Sequence, residues 1–448
     1  MVAVAQVIGG GLAGCEAAWQ LAERGHTVEL LEMRPSQSSP AHQTDRLAEL
    51  VCTNSFKSEE STNAHGLLKR EMRTLGSLLL ASADATRVPA GAALAVDRDR
   101  FASSVTHWIE RHPRIRLCRE EIAAIPTAPA VLATGPLTSA ALSESLAALL
   151  GARSLAFYDS IAPIVGIDSL DLERAFYGSR YGKGTGDDYL NCPLDCDTYL
   201  AFVEQLRRAE VYPGHEWENI PFFEGCLPLE VMAERGVDTL RFGPMKPVGL
   251  REPAGEHRPY AVLQLRREDR HGQMWNLVGC QTRLRTGAQR RVFRLIPALR
   301  DAEFLRYGSI HRNTYLDFPS SLNEYGAPHA RRDLIIAGQL TGVEGYMESA
   351  ASGILAGINM DRILCGRAPV VPPSTTMLGA LYRYLREAEP GRFQPMNSNF
   401  GLLDPPAERV RDKQQRRQLL ATRAQADLAA WLERYAIPQI VIPVGAAA

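Results

Sequence analysis

Two cysteine segments carry the residues best suited to covalent chemistry. Cys52 stands in Glu49-Leu50-Val51-Cys52-Thr53-Asn54-Ser55-Phe56-Lys57, and Cys226 in Phe222-Phe223-Glu224-Gly225-Cys226-Leu227-Pro228. Polar neighbours around the first, and Gly and Pro around the second, predict loops, where reactive side chains tend to sit. A cysteine reacts as its thiolate, and a nearby cation or backbone amide favours that form. Nucleophilic attack and acid–base work are therefore open to both; a buried core thiol is the alternative. Cys192 and Cys196 are the closest cysteine pair, with no second pair or His-x-His cluster beside them. No metal centre is expected.

The elements that must position such thiols begin at the N-terminus. Val4 to Ile8 reads as a short apolar strand, Leu12 to Arg24 as a helix ended by Gly25, and Thr27 to Leu31 as a second strand. Between strand and helix lies Gly9-Gly10-Gly11-Leu12-Ala13-Gly14, a G-x-G-x-x-G turn, and Glu32 stands at the tip of the second strand. Such glycines let a pyrophosphate approach the helix N-terminus, and an acid about 20 residues on suits ribose hydroxyls. Two further strand-like runs end in glycine: Ala130-Val131-Leu132-Ala133-Thr134-Gly135 and Leu334-Ile335-Ile336-Ala337-Gly338. The latter continues through Gln339, Gly342, Glu344, Gly345 and Tyr346 into a small-residue helix, Met347 to Met360, suited to close packing. Leu67 to Leu80 has apolar residues at helical spacing, Phe101 to Arg111 reads as a helix and Ile115 to Cys118 as a strand. Arg409 to Tyr435 reads as an exposed amphipathic helix.

A chain of 448 residues suggests two domains. We expect a split α/β fold: the first part of a Rossmann-like nucleotide-binding domain over 1–165, an inserted α+β domain over 166–325, and the last part with C-terminal helices over 326–448. At 45% hydrophobic and 23% charged residues the composition is that of an ordinary globular protein. No apolar run is long enough for a membrane span and no leader pattern is visible, so a cytoplasmic location is expected; eight cysteines there argue against a disulfide framework. The formal net charge of −1 excludes a general polycation, so a nucleic-acid partner needs a local basic patch. Lysine occurs only at 57, 69, 183, 246 and 413, so the basic residues are nearly all arginine. That suits phosphate and base contacts in RNA, and a codon bias explains it equally.

The three glycine turns, with Glu32 and Val96-Asp97-Arg98, resemble flavoproteins of the glutathione-reductase type, which reuse the first turn for FAD and finish the flavin site with a late strand. More specifically, the chain resembles the bacterial folate- and FAD-dependent tRNA (uracil-5-)-methyltransferases over nearly its whole length. Both cysteine segments carry that likeness, as do Arg241 to Leu250, Gly279-Cys280-Gln281-Thr282, Ile310-His311-Arg312-Asn313-Thr314-Tyr315, and Phe393 to Gly401. The family often has an aromatic at Cys280 and Met at Ile310.

The resemblance implies a reaction. NADPH (or NADH) reduces FAD, and the reduced flavin carries a methylene group from 5,10-methylenetetrahydrofolate to C5 of the T-loop uridine (position 54) of tRNA and supplies the hydride that makes it methyl. It implies Cys52 as nucleophile and Cys226 as acid–base partner, with the swapped roles open. His311, Arg312 and Asn313 are candidates for the folate pterin. Arg283, Arg285, Arg290, Arg291 and Arg294 fall within twelve positions and would in part share a helical face toward RNA phosphates; a solvated face is the default for such a run. The target base must be turned out of its loop. No DNA or membrane partner is expected. Rival readings are the related flavoprotein of wobble-uridine modification, a plain NAD(P)H-dependent flavin oxidoreductase, and a non-catalytic tRNA-binding flavoprotein.

Overall fold

The computed structural model describes residues 4–39, 41–151, 155–212, 227–250, 259–390, 393–406 and 410–442, with 155–159 and 310–313 given by backbone alone. In chain order, the first part supplies β1 (Val4–Ile8), β2 (Thr27–Leu31), β3 (Ser55–Ser58), β4 (Arg87–Val88), β5 (Ala93–Val96), β6 (Ile115–Cys118) and β7 (Ala130–Leu132). The middle supplies β8 (Leu155–Ile161), β9 (Ile164–Gly166), β10 (Phe176–Tyr177), β11 (Tyr189–Leu194), β12 (Ala261–Arg267), β13 (Met274–Leu277), β14 (Phe304–Arg306) and β15 (Ser309–Tyr315). The last described strand is β16 (Leu334–Ile336).

Five of these build a parallel sheet in the order β16-β7-β1-β2-β6. β7 and β16 are short, wholly apolar and buried along their length, as strands covered on both faces must be. The edge strand β16 comes from some 200 residues after β7, its neighbour, so the nucleotide-binding fold is split in sequence. The helix Leu12–Glu23 follows the first glycine turn and lies directly on the late helix Tyr346–Leu364. Small residues make that crossing: a Cβ on Gly353 would come within 2.1 Å of the Ala13 carbonyl oxygen, and one on Gly357 within 2.9 Å of that of Ala17.

The expected single helix over 67–80 is instead two, Ala64–Thr74 and Leu78–Ala85. Gly76 takes a left-handed φ of 74°, and the Ser77 hydroxyl accepts the Leu80 amide at 3.1 Å, so a stop and a cap override the apolar periodicity.

The middle of the chain forms an antiparallel sheet in the order β10-β11-β12-β13-β9-β14. Its core gathers Cys192, Phe202, Leu263, Leu265 and Phe293. In β12, Leu263 and Leu265 face that core, so Gln264 and Arg266 point to the other side, toward the first domain. The antiparallel ribbon β8–β15 joins the two sheets: β8 runs on to β9, and β15 follows β14.

Candidate active site

A cleft partly open to solvent runs along the C-terminal ends of the parallel strands. Its walls combine the three glycine turns: Gly9, Gly11, Leu12 and Ala13 from the first, Thr134 and Gly135 from the second, and Gly338, Gln339 and Tyr346 from the third. A Cβ at Gly11 or Gly135 would meet nothing within 4 Å, so both glycines open onto free space. Gly9 is needed for another reason: with φ 102°, its Cβ would lie 2.5 Å from the Ala133 oxygen. Gly14 likewise has no room, only 1.8 Å from the Gly9 oxygen. A bare glycine turn opening at a helix N-terminus fits a pyrophosphate, and the mostly apolar lining that joins three such turns fits the dinucleotide FAD.

Glu32 lines the cleft. Its Oε2 accepts the Gly10 amide at 2.8 Å, and its Oε1 accepts the Arg34 amide and Nε at 3.0 and 2.9 Å. Burial opposes its charge, but Arg34 and these amides outweigh burial and hold the carboxyl below its ordinary range. Arg34 is itself buried and reaches the Thr44 carbonyl and Glu49. Gly342, Glu344 and Gly345 are not among the cleft-lining residues. Gly342 packs where a Cβ would sit 2.3 Å from the Phe393 ring, and Glu344 accepts from the Gln339 amide group at 2.7 Å. They shape the third turn from behind.

The loop of Cys52 borders the cleft through Glu49 and Val51. The Tyr346 hydroxyl accepts the backbone amides of Cys52 (2.7 Å) and Thr53 (3.2 Å). Arg98 donates to the carbonyls of Leu50 (2.6 Å) and Cys52 (3.3 Å), and Arg306 to that of Val51 (3.0 Å). Arg266 donates to Asn54 Oδ1 (3.0 Å) and Thr53 Oγ1 (2.7 Å). The Cys52 thiol is half-buried and points to the Ser160 carbonyl at 3.9 Å. Burial opposes the charge on both guanidiniums. At Arg98 the ion pair with Glu268 outweighs it and raises the pKa; at Arg306 burial and the Arg98 charge lower it. Both guanidiniums interact electrostatically with Cys52. Cys15, Cys192 and Cys280 differ: full burial pushes their thiols up.

Of the remaining expected residues, Cys226 lies outside the described residues. His311, Arg312 and Asn313 lie on β15, opposite Asp159, Tyr158 and Phe157. Arg290, Arg291 and Arg294 share the exposed side of the helix Thr286–Phe293 and its C-cap, and Arg285 is exposed at its start. Arg283 does not belong to that face: its Nε lies 3.6 Å from the buried Glu230 carboxylate. Arg266, Arg306, Glu268 and Arg34 were not anticipated, and nothing in their local sequence marks them. Among the described residues, His26, Asp361 and Cys365 approach closely enough to share an ion, but Arg367 already holds the other Asp361 oxygen at 2.8 Å, which opposes a cation there. No described helix is long and apolar enough to cross a membrane.

Comparison with known proteins agrees with this architecture. Residues 4–368 match the family model described as glucose inhibited division protein A. A curated protein of Geobacter sulfurreducens named methylenetetrahydrofolate--tRNA-(uracil-5-)-methyltransferase TrmFO is 55% identical over 433 residues, 96% of this chain and 99% of that one. A protein of the same name from Moorella thermoacetica is 55% identical over 93% of this chain and 96% of its own. Among solved structures, GidA of Aquifex aeolicus in its form II crystal superposes with a TM-score of 0.68 at 17% identity, over 96% of this chain and 76% of that one, a likeness of fold. With this cleft, this loop and these relatives, the chain belongs to the glucose inhibited division protein A family and, within it, to the methylenetetrahydrofolate--tRNA-(uracil-5-)-methyltransferases.

Proposed function

We propose that the chain methylates C5 of the T-loop uridine of tRNA, with 5,10-methylenetetrahydrofolate as one-carbon donor, FAD as bound cofactor, NADPH or NADH as reductant, and the cytoplasm as its location. The observation that carries this reading is that Cys52 follows Val51 on the wall of the glycine-lined cleft, in a loop held by Tyr346, Arg98 and Arg306. The glycine turns around Gly11, Gly135 and Gly338 would hold FAD, which when bound supplies the hydride and one-carbon chemistry.

Uracil C5 is a poor nucleophile. Addition of the Cys52 thiolate to C6 forms a C–S bond and pushes the ring electrons into an enolate, which makes C5 nucleophilic. Once C5 has gained its carbon, a base removes the C5 proton and the C–S bond breaks, returning the thiolate. We assign the base to Cys226. Support comes from the chain just after it: the Leu229 amide donates to the Gln281 carbonyl at 2.7 Å, and Thr282 donates to the Ile161 carbonyl at 3.4 Å, next to Ser160, which accepts the Cys52 thiol. The segment 166–325 would be the substrate domain, with His311, Arg312 and Asn313 as the folate candidates and the exposed arginines as those for RNA phosphates.

The test is transfer of label from methylenetetrahydrofolate to a tRNA transcript, with a T-loop uridine-to-cytidine transcript as control. Label is expected in the first alone; equal label in both rejects the target. Cys52→Ala is expected to abolish transfer and the covalent adduct with 5-fluorouridine tRNA. Full turnover by that variant rejects Cys52 as nucleophile.

A further inference from the structure

Tyr181 combines three features that seldom coincide. It is 68% exposed, its backbone is left-handed (φ 60°, ψ 24°), and one face of its ring is covered by a glycine. A Cβ on Gly249 would lie 2.9, 3.0 and 3.1 Å from Cζ, Cε1 and Cε2 of the tyrosine. Near-equal distances to these three atoms place Gly249 under the flat of the ring, not at its edge. A bulky residue at positive φ is strained, and such strain persists only where the surroundings impose it, often at ligand clamps.

The surroundings here do impose it. The Tyr181 amide donates to the Gly249 carbonyl at 2.8 Å. On one side, Arg180 donates to Gln264 Oε1 (2.8 Å) and the Val248 carbonyl (2.7 Å). On the other, Lys183 pairs with Glu60, and Asp188 accepts the amides of Gly91, Thr185 and Gly186. The ring is thus mounted on a rigid pedestal with one face buried and the rest of the residue in solvent.

The pedestal shares its foundation with the reactive loop. Gln264 holds Arg180, and Arg266, two residues on along β12 and on the same face, holds Thr53 and Asn54 beside Cys52. Two strand residues span about 7 Å. Arg180 has no carboxylate partner among the described ion pairs, and the nearby Glu60 and Asp187 are each paired with another cation, Lys183 and Arg267.

We propose that Tyr181 is a stacking platform for an unpaired base of the tRNA, adjacent to the nucleotide that meets Cys52, with Arg180 facing the adjoining phosphate. This rests on the reading of the substrate as tRNA. An aromatic ring with one face supported and one free is the element on which single-stranded bases stack, and arginine beside it follows the backbone.

The experiment uses the FAD-loaded enzyme and Tyr181→Ala, Tyr181→Gly and Tyr181→Phe. Binding of a T-arm transcript is read by fluorescence anisotropy at fixed salt, and methyl transfer gives KM for tRNA and kcat separately. The Ala and Gly variants are expected to bind the transcript at least ~5-fold more weakly, with KM raised and kcat largely kept; the Phe variant keeps wild-type binding. Tyr181→Gly relieves the backbone strain, so its weaker binding is not misfolding, and retained flavin confirms the fold. Wild-type binding by the Ala and Gly variants overturns the proposal, as does a Phe variant as weak as Ala, or an effect confined to KM for NADPH or folate. If the wild type binds the transcript through Tyr181 yet transfers no methyl group, the platform stands and the assigned reaction falls.

Discussion

The hydroxyl of Tyr346 accepts the amide of Cys52 at 2.7 Å, so a residue on the wall of the nucleotide cleft sets the backbone of the proposed nucleophile. The same oxygen accepts the Thr53 amide at 3.2 Å. Burial raises the phenol pKa, with the neighbouring Cys52 contributing in the same direction, which keeps it neutral. Tyr346→Phe removes one atom and leaves two amides without this acceptor. Such a loss costs about 1–3 kcal/mol. We expect methyl transfer to fall roughly tenfold, which corresponds to about 1.4 kcal/mol of barrier, while FAD stays bound. Flavin absorbance and single-turnover methylation check both halves; an unchanged transfer rate refutes the role given to the hydroxyl.

Gly353→Ala tests how the cleft is built. The added methyl would lie 2.1 Å from the Ala13 carbonyl oxygen, on backbone that cannot swing aside. Ala13 lines the cleft, so the helix carrying the first glycine turn must shift. Overpacking of this kind costs about 1–3 kcal/mol. A lower melting temperature and flavin loss on gel filtration are expected. Wild-type values for both would show the crossing to be more tolerant than its geometry implies.

The strand, glycine turn, helix and acid of residues 4–32 were legible because each follows from local rules of turn conformation and period. The late strand Leu334–Ile336 was legible for the same reason, as was its place in a split fold; that it pairs with β7 was not stated by the sequence and comes from the structure. What holds Cys52 was not legible. Arg266 and Arg306 act on residues more than 200 positions away, and no periodicity or motif at either end encodes that meeting. Arg283 shows the converse: its neighbours suggested a phosphate-facing row, but Glu230, itself buried, draws it inward. Charge runs are visible in sequence; which member finds a carboxylate depends on packing.

Glu348 gives a pH signature. It is buried in the first turn of the helix Tyr346–Leu364 and accepts the Ser398 amide at 2.9 Å and His65 Nδ1 at 3.2 Å. Burial opposes ionisation, but the His65 hydrogen bond and the charges of Lys57 and His65 outweigh it and bring the pKa down to about 2. A depressed carboxylate pKa contributes stability above the unfolded value near 4.5 and loses it as pH falls through 2. Glu348→Gln should therefore lower the melting temperature at pH 7 and flatten its fall between pH 4.5 and 2. A parallel acid limb in wild type and variant would exclude this carboxylate as its source.

The arginines of the helix Thr286–Phe293 make a separate electrostatic prediction. Arg290 and Arg291 are exposed; Arg290 leans on the Tyr307 hydroxyl at 2.6 Å, and Arg291 meets Glu210 only at 3.9 Å. An exposed pair at that distance contributes little to stability, so both guanidiniums are available to phosphates. Each phosphate neutralised displaces counterions, and the logarithm of affinity falls with the logarithm of salt in proportion to the number of phosphates engaged. Arg290→Ala with Arg291→Ala should leave the melting temperature nearly unchanged, weaken tRNA binding at low salt, and reduce the salt slope by about one for each phosphate no longer engaged, up to about two. Binding isotherms over a salt series check this. A parallel slope with unchanged affinity would assign the row to solvent and leave the RNA to be held elsewhere.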